Sequence, residues 1–406
     1  MELKPGYKLT DVGVIPEEWA VSSLDDCCKK ITDGTHDTPT PARTGVPFLT
    51  AIHVKDSGIA YGECLYLSEA DHEIIFKRCN PQKGDVLMVN IGAGVSTTAL
   101  VDVDFEFSLK NVALLKPDSD RLSGEYLNYC LVQKKEGITR ALLSGGAQPF
   151  LSLTQIGQIK IPLPLRPEQR AIAGALSDVD ALIGALDQLL AKKRDLKQAA
   201  MQQLLTGHQR LPGFVPANPR FTQTDVGMIP EDWNATSLGD IASLYQPVTI
   251  SAKAFTATGY PVYGANGVVG CYHDFNHDTW QITVTCRGST CGTVNRTVEK
   301  CWITGNAMVV NCDHNKEIDK PFLYYLLQRQ DLSVCITGTG QPQIVRSPLA
   351  KFSLPVPSQI AEQTAIAEVL SDMDAELAAL EQKRDKTRLL KQGMMQELLT
   401  GRTRLI

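Results

Sequence analysis

Apolar residues recur every three to four positions from Glu168 to Gly207, and the same rhythm returns from Glu362 to Gly401. With Leu176 as a heptad a position, the first seam is Ile172, Leu176, Val179, Ile183, Leu186, Leu190, Lys193, Lys197, Ala200 and Leu204. The second is Ile366, Leu370, Met373, Leu377, Leu380, Arg384, Thr387, Lys391, Met394 and Leu398. The two stretches align without a gap at a constant offset of 194 residues and share EQ-x-AIA, LSD-x-DA and LLTG. Both are rich in Ala, Leu, Lys, Gln and Glu, with prolines before them (Pro162, Pro164, Pro167; Pro355, Pro357) and a glycine after. The pattern predicts two helices. At 1.5 Å per residue, a helix of ~39 residues is about 58 Å long. A small domain cannot bury such a rod, so each seam needs a partner helix, and the other copy is the obvious one.

The seam changes character midway. It is apolar in its N-terminal half and carries Lys193, Lys197, Arg384 and Lys391 further on. In one reading these cations solvate a rod end and offset the helix dipole. In the other, this section leaves the partner helix and docks another molecule through those four residues.

A second repeat frames the first. Thr10–Trp19 (TDVGVIPEEW) returns as Thr224–Trp233 (TDVGMIPEDW) at an offset of 214 residues. Each half thus runs from a GxIPExW segment through a globular head and a Gln-Pro segment to a proline-rich approach and a long helix. The heads do not align: Gln148 lies 129 residues after Trp19, whereas Gln341 lies only 108 after Trp233. The frame is duplicated and the contents are not. Strands are predicted at Pro47–His53 and Asp85–Ile91 in the first head, and at Gly259–Gly264, Gln281–Cys286 and Ala307–Asn311 in the second. Helices are predicted at Leu122–Lys135 and Pro321–Gln328, and the proline-rich Arg210–Pro219 reads as the linker between halves. The fold class is α+β, with two globular α/β heads joined by two long antiparallel, coiled-coil-like helices in a pseudo-twofold internal repeat.

Composition changes this picture little. With 43% hydrophobic and 21% charged residues, the chain is an ordinary globular sequence. It has no apolar run of membrane-spanning length and no signal-peptide core. Eleven cysteines in no regular framework favour reduced thiols in a cytoplasm. The net charge of −5 does not advertise a nucleic-acid binder, although affinity for phosphate depends on local patches.

Catalytic motifs fail one by one. Asn80-Pro81-Gln82-Lys83 begins like an adenine-methylase motif but lacks the aromatic residue that stacks a flipped base. Gly92-Ala93-Gly94 reads as a turn, and no GxxxxGK[ST] is present. Cys286 and Cys291, with His273 and His277 upstream, fit no usual zinc spacing. Polar loops are more suggestive, because Arg and Lys suit guanine O6/N7 while Asn and Gln suit adenine N6/N7. In the first head they offer Thr35, His36, Thr38, Asn90, Lys110 and Asn111. In the second they offer Tyr263, Asn266, Arg287, Ser289, Thr290 and Asn306. Gln148 and Gln341 stand at matching places in both halves, in loops suited to facing DNA or to hinging each head on its helix.

The GxIPExW segments, two unlike heads, xPLPxxxEQ approaches and helices ending LLTG-x-x-RL together resemble the specificity subunit of a type I restriction–modification system, over nearly the whole chain. The resemblance implies target-recognition heads at residues 1–166 and 208–357, and spacer helices at 167–207 and 358–406. It implies that each head reads half of a bipartite site in double-stranded DNA. It also implies a non-catalytic chain whose helices set the spacer and dock two modification subunits, which bring S-adenosylmethionine and methylate adenine. Restriction subunits using ATP and Mg2+ join later, and the chain itself binds no cofactor and no metal. Two other readings stay open at this point: a self-sufficient DNA methyltransferase or nuclease, and a coiled-coil adaptor with two protein-binding heads.

Overall fold

The computed structural model describes residues 4–92, 94–143, 149–337 and 342–406, so that Gln148 and Gln341 lie outside the described residues. Two unbroken helices, Arg166–Leu204 and Ile360–Leu398, each contain 39 residues. Every seam position predicted from the heptads is buried or half-buried. Each helix stops at the shared LLTG. Gly207 and Gly401 adopt φ of +70° and +69°, and their amides donate to the carbonyls of Leu204 and Leu398. A left-handed glycine ends a helix in this way because no Cβ obstructs it. Crowding imposes glycine as well: a Cβ would lie 2.4 Å from Pro230 Cγ at Gly207 and 2.5 Å from Pro16 Cγ at Gly401. The prolines belong to the repeated GxIPExW segments, which explains why the two motifs recur together.

The chain divides into two compact units, Met1–Leu186 with Lys383–Ile406, and Asp187–Gln382. This division cuts across the spacer helices, so they are not domains of their own; each unit takes half of each. The reason is packing. In the first unit Trp19, Tyr126 and Ile161 of the head share one core with Ile172 and Leu176 of the first helix and Met395 and Leu398 of the second. In the second unit Trp233, Phe322 and Leu354 share a core with Leu204, Ile366 and Leu370. Residues 166–186 run antiparallel to 383–398 within the first unit, and residues 187–204 to 360–382 within the second.

The heads share one topology despite their unlike sequences, which corrects the expectation that only the frame is duplicated. The first has a four-stranded sheet ordered Thr98–Leu100, Val86–Met88, Ala113–Pro117, Cys28–Asp33. The second repeats it as Val294–Arg296, Ile282–Thr285, Ala307–Asn311, Ser243–Tyr245, with every neighbour antiparallel in both. A three-stranded sheet follows in each, with one parallel and one antiparallel pair around Val46–Leu49 or Tyr260–Gly264. A head helix, Gly124–Leu143 or Lys320–Arg329, comes next. Then a strand, Lys160–Leu163 or Ser353–Pro357, pairs with the strand just after the opening hairpin and hands the chain to its long helix. The first head is longer because it adds the small hairpin Val54–Lys55/Gly58–Ile59 and the helix Glu69–Cys79. Asn80 caps that helix at φ +45°, which accounts for the Asn-Pro pair without any methylase chemistry.

One backbone detail separates the heads. The turn after Val86–Met88 places Ser96 at φ +71°, where the same hydrogen-bonded turn in the second head has Gly292 at +94°. Ser96 is fully buried, and its hydroxyl has no partner among the described residues. A left-handed non-glycine residue costs about 1–2 kcal/mol, and glycine gives back part of that gain in the unfolded chain. Ser96→Gly is expected to stabilise the protein by about 1 kcal/mol, seen as a higher urea midpoint, whereas Ser96→Ala keeps the strain and gains less.

Candidate nucleic-acid interface

The repeated motifs meet in two equivalent clasps that fix each head on its helix ends. In the first unit Trp19 Nε1 donates to Glu168 Oε2 at 3.0 Å, and Arg404 closes on the same carboxylate with contacts of 2.5 and 2.9 Å. In the second, Trp233 Nε1 lies 3.3 Å from Glu362 Oε2, and Arg210 pairs with both Glu362 and Asp232. Each guanidinium also sits over the tryptophan ring, at 5.7 and 5.6 Å. The neighbouring glutamine finishes the job. Gln169 Oε1 accepts from the Ser123 amide while its Nε2 donates to the Pro164 and Arg121 carbonyls. Gln363 repeats this with Asp319, Pro357 and Glu317. The shared EQ, W and R of the sequence are thus one polar network around a buried Glu-Gln pair, made twice.

A second clasp lies farther along the helices. Tyr129 of the first head helix donates to Asp180 at 2.8 Å, and Lys391 of the second long helix pairs with that carboxylate at 2.6 Å while lying 5.4 Å over the tyrosine ring. Tyr325, Asp374 and Lys197 repeat the arrangement, with the ammonium 5.3 Å over the ring. Burial and the adjacent carboxylate raise both phenols above the usual tyrosine range. Lys193 pairs with Glu376 at 2.7 Å, and Arg384 with Asp385 of its own helix at 2.8 Å. The seam therefore stays on the partner helix at Lys193, Lys197 and Lys391, whereas Arg384 pairs along its own helix. The lysine stems fill the seam and carry their charges to carboxylates at its edge. The pair Lys391–Asp180 is partly exposed, so a double-mutant cycle with Lys391→Met and Asp180→Asn is expected to return a coupling of about 1 kcal/mol in urea denaturation.

On this frame each head presents its loops. In the first head, Gly34 passes so close to Leu109 that a Cβ would lie 2.0 Å from its carbonyl oxygen. That contact lets the Thr35 amide donate to Leu109 O (2.8 Å) and the Asn111 amide to Thr35 O (3.2 Å). Asn111 takes φ +52° and its Oδ1 meets His36 Nδ1 at 2.7 Å, while His36 Nε2 lies 3.1 Å from Asp33. Asp33 is held in turn by Arg78 at 2.5 Å, and Lys110 Nζ donates to Thr38 Oγ1. Thr35, His36, Thr38, Lys110 and Asn111 therefore form one surface cluster. Arg78 was not legible as part of it, because it stands 45 residues from Asp33 in sequence. Asn90 does not belong to the surface: it is buried where the hairpin reverses, and its carbonyl accepts from the Leu151 amide.

In the second head Asn266, Arg287, Ser289 and Asn306 are exposed and Thr290 is half-exposed. Hydrogen bonds draw their loops together. The Cys286 amide donates to Asn306 O at 3.3 Å, the Asn295 side-chain amide to Asn266 Oδ1 at 3.4 Å, and Thr285 Oγ1 to Ala265 O. Gln246, which sequence reasoning missed, is exposed beside them, its Nε2 donating to Gly305 O at 3.0 Å. Its signal was faint: a single Gln before a proline at a strand end. Tyr263 leaves the set of readers. It is buried, and its hydroxyl accepts from the Val298 amide at 3.1 Å. Cys286 and Cys301 are core residues whose thiols burial pushes up.

Two different clusters of amide, hydroxyl and cationic donors, each on one copy of a duplicated clasp-and-helix frame, define a two-headed recognition protein. The sequence pattern of the type I restriction modification DNA specificity domain matches residues 16–192 and again 230–389. The chain belongs to that family, and within it is a DNA sequence-recognition subunit, not an enzyme. Among its relatives are two type I restriction enzyme specificity subunits of Methanocaldococcus jannaschii. The MjaX subunit is 26% identical, over 98% of this chain and 97% of that one. The MjaVIII subunit is 25% identical, over 96% and 94%. The crystal structure of a type I restriction–modification S subunit from M. genitalium shares the fold, with a TM-score of 0.64 at 17% identity over 98% of this chain and 99% of that one.

Proposed function

We propose that each head reads one half of a bipartite, asymmetric site in double-stranded DNA, and that the paired helices set the length of the unread spacer. One observation carries this reading: a single head topology and clasp occur twice, but the exposed loops differ. Identical readers would suit a palindrome, whereas His36, Thr38, Lys110 and Asn111 in one head and Gln246, Asn266, Arg287 and Asn306 in the other suit two unlike half-sites. Two modification subunits, carrying S-adenosylmethionine, methylate adenine in the site. Restriction subunits that use ATP and Mg2+ complete the complex, which works in the cytoplasm. The chain itself supplies recognition and binds none of these cofactors. No helix among the described residues is long and apolar enough to cross a membrane.

The test is to map methylated adenines in DNA exposed to the chain with its modification subunits. A bipartite motif with a fixed gap is expected. Adding one helical turn of four residues to both long helices lengthens them by ~6 Å, about 1–2 base pairs of spacer. An unchanged gap counts against the ruler. DNA binding that ignores salt points instead to an adaptor, because phosphate contacts release counterions.

A further inference from the structure

His36 stands between two oxygen acceptors. Its Nε2 lies 3.1 Å from Asp33 Oδ2, and its Nδ1 lies 2.7 Å from Asn111 Oδ1. The two acceptors differ in what they can become. Asp33 is buried and takes a bond of 2.5 Å from Arg78 on its other oxygen; an arginine-paired carboxylate accepts hydrogen bonds and offers none. Nε2 therefore carries a hydrogen in either state of the ring. Asn111 is an amide, with an acceptor at one end and a donor at the other. Its backbone is fixed: φ is +52°, its own amide donates to Thr35 O at 3.2 Å, and the Lys110 amide donates to Leu49 O at 2.9 Å. Only the side-chain amide can turn over. Its Nδ2 has no hydrogen-bond partner among the described residues. The other charged groups of this patch bond elsewhere. Lys110 Nζ donates to Thr38, Lys30 Nζ to the Arg78 carbonyl at 2.6 Å, and Asp37 follows His36 in the exposed loop.

We infer that His36 is a positioning residue for base recognition: the proton on its Nδ1 decides which end of the Asn111 amide meets the DNA. This rests on the reading of the first head as a DNA reader and deepens it. With hydrogens on both ring nitrogens, His36 donates to Asn111 Oδ1, as in the structure, and Nδ2 is the amide atom left over. A free N–H donor suits O6 of guanine or O4 of thymine. With Nδ1 bare, the ring accepts there, so the amide turns over and Nδ2 donates to it. Oδ1 is then left over, and it suits the amino group of adenine or cytosine. The head thus accepts a keto base at one position when His36 is charged and an amino base when it is neutral. Histidine is the side chain that changes charge near neutral pH, so a modest change in pH moves this preference. A phosphate would not exploit the device, because its oxygens only accept and one end of the amide would serve for every sequence.

The test uses the full chain with its modification subunits, once adenine methylation has mapped the target. Affinities are measured for duplexes carrying each of the four base pairs at each position of the half-site read by the first head. They are compared at about pH 5.5 and about pH 8.5, on either side of the range in which histidines titrate. At one position the preference is expected to favour G or T at least about 5-fold at the acid pH and to reverse by a similar factor at the basic pH. His36→Arg supplies donors to both Asp33 and Asn111 at every pH, and is expected to hold the acid preference throughout. The His36 side chain is 62% exposed, so the change fits. Asn111→Gly suits the left-handed backbone and should erase the preference at that position at both pH values. A preference that does not move with pH overturns the inference, as does one that still moves in His36→Arg. Equal weakening of all sequences at the basic pH also overturns it and assigns the patch to phosphate. A wild-type complex with no base preference anywhere in that half-site overturns the parent reading as well, and is told apart by that result.

Discussion

Arg210→Ala is expected to cost the second unit about 3–5 kcal/mol at neutral pH, as removal of one partner from a buried ion pair does. The Arg210 side chain is 7% exposed and that of Glu362 only 1%. Arg210 serves two carboxylates and caps Trp233, so its loss leaves Glu362 with the indole N–H as its remaining side-chain donor. Burial already raises the Glu362 carboxyl above the usual glutamate range even with Arg210 in place. Arg210 holds Asp232 below the usual aspartate range. The signs give a pH signature. A group raised in the folded state favours folding below its unfolded value and loses that contribution as pH rises through the folded one. Without Arg210, Glu362 is raised further, so the variant suffers most at neutral pH. A group lowered in the folded state, as Asp232 is in the wild type, loses its contribution as pH falls. Both effects narrow the gap between variant and wild type on acidification below about pH 5. Urea denaturation at pH 7 and pH 4.5 measures it. Arg404→Ala is the internal control: its guanidinium is 32% exposed, and its loss is expected to cost the first unit less. An equal deficit at both pH values shows that Arg210 acts through packing on Trp233 and not through Glu362.

The long helices were legible because a heptad pattern is local: Leu176, Leu186, Leu190 and Leu370 announce the seam within a few turns, and all four are buried or half-buried there. The clasps were half legible. Trp19, Glu168 and Arg404 stand out as repeated letters, but they meet across 149 and 236 residues of chain, and no local rule brings them together. The shared head topology was hidden because a sheet specifies alternation and not identity. Val86–Met88 and Ile282–Thr285 do the same work with different side chains, and the added helix Glu69–Cys79 throws the spacing out. At the site, glycine-rich polar runs predict surface loops. That holds for His36 and Arg287, which are exposed, and fails for Asn90 and Tyr263, whose polar atoms sit inside the hairpins that shape those loops. At the seam, the heptad pattern alone does not reveal that Lys193, Lys197 and Lys391 find carboxylates within reach on the partner helix.

Arg287→Ala is expected to weaken binding to the full target about 5- to 150-fold, the range of one bidentate base contact worth about 1–3 kcal/mol. Arg287 is exposed, and its guanidinium has no partner among the described residues. Its backbone, by contrast, is fixed. Cys286 donates to Asn306 O and accepts from the Ile344 amide, Arg287 bridges to Gln343, and Gly288 turns the chain at φ +89°. A planar fork of donors on an immobile hairpin loses little freedom when it meets a guanine edge. The effect should be confined to one base pair of one half-site, with the half read by the first head unchanged. Arg287→Lys keeps the charge but not the fork and should restore only part of the discrimination. Salt titration separates base from phosphate: a base reader relaxes specificity at one position, whereas a phosphate contact weakens all sequences alike and lowers the salt slope by about one. Uniform weakening in the Arg287→Ala variant, with every base preference intact, assigns the arginine to the DNA backbone and leaves Gln246, Asn266 and Asn306 as the readers of that half-site.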